Sequence, residues 1–144
     1  MSSFYVKGCN KLFVAEVLLK LFNASDDSLI QDVCFNLHQC AELFLKQICI
    51  SKHIVQFNEV HNIHGLISAL ATNGYNDEVL QDLDTYSDII TSWYTESRYF
   101  DTFYVNQRTV DKVVWLCHML LDYTKRICEL KDEPTKKVKD VYAT

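Results

Sequence analysis

The stretch LIQDVCFNLHQCAELFLKQICISKH, residues 29–53, decides the fold. Its apolar positions are Leu29, Ile30, Val33, Cys34, Leu37, Cys40, Ala41, Phe44, Leu45, Ile48 and Cys49, recurring at spacings of three and four. That is the period of an α-helix turning one face to a core. The remaining face is largely polar, with Gln31, Asp32, Asn36, Gln39 and Lys46. His38 and Glu42 are four apart, so they share a face of this helix. The polar break just before it offers Ser25, Asp26 or Ser28 as a helix N-cap, with acidic residues near the positive helix end.

The same period extends outward from this helix. Residues 11–22 are dense in apolar side chains and read as a buried helix, preceded by a short lead-in over 1–8. Downstream, a short apolar helix over 63–71 is stopped by Asn73-Gly74. A fourth helix is expected over 78–97, carrying Val79, Leu80, Leu83, Tyr86, Ile89, Ile90, Trp93 and Tyr94, with a loop at 102–107. A fifth, over 109–130, has a heptad-like stripe from Val110 to Cys128. With only 3 glycines and 1 proline in 144 residues, strand-turn signals are nearly absent. The expectation is an all-α, up-and-down bundle of about five helices over residues 1–130, with a flexible or loosely docked tail over 131–144.

Composition narrows the function classes. A net charge of -5 argues against non-specific binding to long nucleic acid, which needs a strongly positive face. No apolar run approaches the roughly 20 residues that span a bilayer, and the first residues carry no signal-peptide pattern. The 6 cysteines form no CxxC pair and fall mostly on apolar helix faces, as reduced core thiols of a cytoplasmic protein do. No Gly-x-Ser-x-Gly, phosphate-cradling Gly-rich loop or HExxH occurs, so no catalytic residue is assigned. Cys117 and His118 are adjacent and diverge by about 100° on a helix, which suits a core Cys beside a surface His.

The most informative polar stretch is Tyr94-Thr95-Glu96-Ser97-Arg98-Tyr99-Phe100-Asp101. Arg98 lies between aromatic and acidic neighbours, a setting that holds a guanidinium in place. Read from the residues alone, it ties a helix end to a neighbouring carboxylate more readily than it contacts a ligand. The Gln39, Glu42 and Lys46 set reads first as a solvated face with an i,i+4 pair. His38, Glu42, His61 and His64 are ligand types for a metal, but the paired Glu-x-x-His signature is missing and no metal or other cofactor is expected.

Three segments together resemble a known family. Phe35-Asn36-Leu37-His38-Gln39-Cys40-Ala41-Glu42-Leu43-Phe44-Leu45-Lys46, then His61-Asn62-Ile63-His64-Gly65-Leu66, then Tyr94-Thr95-Glu96-Ser97-Arg98-Tyr99 look like the HEPN domain in order and spacing. The resemblance covers about residues 10–130. It implies a helical bundle that dimerises through a helix face. It also implies a role in nucleotide or RNA handling, often beside a small nucleotidyltransferase in paired, toxin–antitoxin-like prokaryotic systems.

Some HEPN proteins are metal-independent ribonucleases that carry Arg, then four to six residues, then His. Here the corresponding positions hold Phe103, Tyr104 and Val105 after Arg98, Val113, Val114 and Trp115 after Arg108, and Lys131, Asp132 and Glu133 after Arg126. The motif is absent, and a nucleotide-binding or regulatory protein is expected rather than an enzyme. On that reading Arg98 contacts a phosphate, Tyr94, Tyr99 or Trp93 stacks on a base, and Glu42, Lys46 and His61 line the same polar cleft, with His64 nearby. The alternatives are a homodimeric protein-interaction module without a ligand, and a ribonuclease of divergent type.

Overall fold

The computed structural model describes residues 3–24, 29–54, 62–99 and 105–130. These form six helices: α1 (Phe4–Ala24), α2 (Leu29–Ser51), α3 (Ile63–Thr72), α4 (Glu78–Thr85), α5 (Ser87–Tyr99) and α6 (Gln107–Ile127). No strand occurs among the described residues. The tail over 131–144 lies outside them.

The hub is α2, which packs against α1, α3, α5 and α6. Its stripe from Val33 to Cys49 is buried as the spacing demands. Tyr5 at the start of α1 donates its backbone N–H to Gln47 Oε1 near the end of α2, so these helices run antiparallel. Cys117 Sγ reaches Leu37 O, and Cys128 Sγ reaches Gln47 O, so α6 runs parallel to α2. None of the six cysteines is in a disulfide, and five of them are buried. Burial pushes the Cys34 thiol up to about 12 and the Cys49 thiol up to about 11, which keeps both protonated and inert.

Two expectations need correction. The bundle has six helices, because the expected fourth helix is two. Tyr86 leaves helical geometry at φ -103, ψ 6, and its N–H bonds the i−3 carbonyl of Leu83. Ser87 Oγ donates to Asp84 O at 2.7 Å, a local side-chain bond that competes with the helical ladder. The break lets α4 turn Leu80 and Leu83 into the core while α5 turns Ile90 and Trp93 in. The second correction concerns the expected lead-in, which is the first turns of α1. Ser3 Oγ accepts from Val6 N, and Tyr5 is buried against Phe44 with ring centroids 5.8 Å apart.

Three helices stop by one device. A residue with positive φ is followed by an apolar residue whose N–H reaches back five positions. The sets are His53 (φ 58) with Ile54 to Cys49, Gly74 (φ 93) with Tyr75 to Leu70, and Glu129 (φ 54) with Leu130 to Lys125. Only one of the three uses the residue that adopts this geometry without strain. His53→Gly and Glu129→Gly are each expected to raise stability by a few tenths to about 1 kcal/mol, from relief of a left-handed side chain. Urea midpoints that fall in both variants would contradict that account.

Candidate functional site

Along α2, three buried polar side chains meet different fates. Gln47 is satisfied, accepting from Tyr5 N and donating from Nε2 to Ser51 Oγ at 3.3 Å. Glu42, only 8% exposed, pairs with Lys46 at 3.2 Å one turn on. The spacing thus makes the expected i,i+4 pair, but on a buried strip and not on a solvated face, which corrects the first reading of these residues. His38 is 1% exposed, and neither ring nitrogen has a hydrogen-bond partner among the described residues.

Helix α5 supplies the other wall. The Tyr94 ring stands over His38 at 5.3 Å and beside Phe35 at 6.1 Å between centroids. Tyr94 remains 46% exposed while the neighbouring Trp93 fills the core. Arg98 and Tyr99 belong to the last turn of α5, and their side chains lie outside the described residues. Along the chain Arg98 comes four residues after Tyr94. His61 also lies outside the described residues.

The His61-Asn62 motif gains a physical role through its second residue. Asn62 caps α3, accepting from Gly65 N at 2.6 Å. Ile63 N donates to Thr91 Oγ1 at 3.2 Å, which docks the start of α3 on α5 one turn before Tyr94. His64 has a structural role, since its Nδ1 meets Asp84 Oδ1 at 2.8 Å and links α3 to α4. Asp84 raises the His64 pKa above its ordinary value. His118 is likewise bonded to Glu16 on the outside of α1, while Cys117 is in the core. No group of three or more metal-ligating side chains gathers among the described residues.

The structure therefore brings together Tyr94, Phe35 and His38 on the α2/α5 seam, with the Glu42–Lys46 pair on α2 close enough for both charges to act on His38. Sequence reading assigns no place in this site to Phe35 or His38. The signal for His38 was available: it lies at four, three and seven positions from Cys34, Ala41 and Leu45, all core residues.

Burial lowers the His38 pKa below its ordinary 6.5; Glu42 opposes the shift and Lys46 adds to it. The unfolded chain then takes up this proton before the folded one. Stability is intact above the unfolded value and is lost as pH falls through the folded value. His38→Phe is expected to flatten this acid loss. It should also gain about 1–3 kcal/mol near neutrality, the penalty of an unsatisfied buried polar group. Urea titrations of both proteins at pH 8 and pH 5 check this; parallel pH dependence would contradict it.

The chain belongs to the HEPN domain family, whose model matches residues 17–132. Neither the curated proteins nor the solved structures gave a match to the chain. No helix among the described residues is long and apolar enough to cross a membrane.

Proposed function

We propose that this HEPN-family chain binds a nucleotide, or the phosphate of an RNA, on the α2/α5 seam and acts as a regulatory protein rather than an enzyme. The observation that carries this is the Tyr94 ring, held over His38 and half exposed, one helical turn before Arg98. An aromatic platform four residues from an arginine in the sequence suits a base and its phosphate together. Lys46, held by Glu42 and close enough to act on His38, supplies a second cation. His61 and Tyr99 are the further ligand contacts. No arginine is followed by a histidine with four to six residues between them, so the chain lacks the usual ribonuclease pair.

On this reading the protein is a cytoplasmic homodimer. It works beside a partner such as a nucleotidyltransferase, in a toxin–antitoxin-like pairing. The domain proper is residues 1–130, and 131–144 is an appended tail.

Equilibrium titration with ATP, AMP and a short oligonucleotide tests the site. Arg98→Ala should weaken binding at least about tenfold, as loss of a charge-assisted phosphate contact does. Tyr94→Ala should weaken it by a stacking contribution of about 1–3 kcal/mol. A wild-type protein that binds none of the three at millimolar concentration overturns the proposal.

A further inference from the structure

The outer face of α6 carries a pattern the nucleotide reading does not use. Trp115 is 48% exposed at the middle of this helix, with Lys112 Nζ 4.3 Å from its ring centroid. Trp is an expensive side chain to leave in water and a frequent anchor of protein interfaces. Lys112 covers part of the ring, and half of the residue stays open.

The charges around Trp115 are ordered. Arg108 lies seven residues before it and Asp122 seven after, all three exposed. Seven residues fall about 20° short of two full turns, so the three form one nearly straight line along the helix. Each charge is about 10.5 Å from the Trp position along the axis. The line is positive at one end, aromatic at its centre and negative at the other. Such a line is complementary to itself when turned end for end. With Trp115 on a two-fold axis, Arg108 faces Asp122 of the other copy twice over. On one flank, Asp111 of one copy comes level with His118 of the other, whose proton affinity Glu16 raises.

We infer that a second copy of this chain docks on the α6 face, antiparallel, with the two Trp115 side chains meeting on the axis. This is an isologous contact of the kind closed dimers use. It rests on the homodimer part of the function proposed above and assigns the seam. The ion pairs set direction and register, and the Trp pair supplies most of the affinity.

Sedimentation of the full chain at tens of micromolar and low salt tests the seam, with circular dichroism to confirm that each variant is folded. Trp115→Ala should weaken the dimer at least about tenfold, as loss of a central interface Trp does. Arg108→Asp and Asp122→Arg should each weaken it about five- to tenfold, since each places like charges opposite one another twice. The double variant R108D/D122R should return to within about twofold of wild type, because the reversed pairs are again complementary. A dimer indifferent to all four variants overturns the seam and leaves the homodimer reading standing. Loss with Trp115→Ala but no recovery in the double variant overturns the antiparallel register and the proposal with it. A strictly monomeric wild type overturns both the seam and the homodimer, while leaving the α2/α5 nucleotide site to its own titration.

Discussion

Trp93→Ala is expected to lower the free energy of unfolding by about 3–5 kcal/mol, the range for deleting a large buried aromatic. Trp93 is 1% exposed and is the largest fully buried side chain in the described core. It anchors α5 in the bundle, where α5 packs against α2, α3 and α4. Removing the indole leaves a cavity between elements that other contacts cannot close, because α5 is only 13 residues long. Domains of this size have about 5–15 kcal/mol to lose, so the variant should be marginal. The effect should also reach function. Tyr94 is the next residue, and its place over His38 depends on where Trp93 pins the helix. Urea unfolding followed by circular dichroism measures the loss; a change under about 1 kcal/mol would mean that the indole is not in a packed core.

Gly8→Val is the second large effect. A Cβ at Gly8 would lie 2.8 Å from both Cδ1 and Cε1 of Phe44, and 3.3 Å from Cζ. Phe44 is fully buried, and its ring stands against Tyr5 on the same helix as Gly8, so it has no room to swing away. Even Gly8→Ala gains about 1 kcal/mol of helix propensity against an overpacking loss of about 1–3 kcal/mol. Valine adds two methyl groups to the same collision, so a loss of about 3 kcal/mol or more is expected. The cause is separable: Phe44→Leu in the Gly8→Ala background should recover part of the loss, a coupling that a double-mutant cycle reads directly. Additive losses would place the strain elsewhere.

These two positions also show what a sequence can and cannot disclose. The α2 stripe was legible because nine of its apolar residues, from Val33 to Cys49, obey one helical period and end up buried. The break at Tyr86 was not, because the apolar pattern runs across it without interruption while a single Ser87 hydroxyl resets the phase. Ile89, expected on the apolar face, is exposed for that reason. The start of α1 was missed because its support is tertiary: Gln47, forty-two residues away, accepts the Tyr5 N–H.

The pairing of Glu42 with Lys46 could be read from spacing, whereas its burial depends on the helices packed around α2. Asn62 was legible as part of a motif, and its capping bond gives that motif a structural reason. Helix ends were read correctly where glycine marks them, at Gly74, and less sharply where His53 and Glu129 take the same left-handed geometry.

The α2/α5 seam is where a nucleotide is proposed to be received, with Arg98 as the proposed phosphate contact. The most direct test is an NMR titration of labelled protein with ATP, AMP and a short oligonucleotide. Saturable shifts are predicted in the last turn of α5, at the Tyr94 ring and at His38, and their loss in Arg98→Ala. No shift at millimolar ligand, or shifts confined to the α3/α4 end around His64 and Asp84, would contradict it.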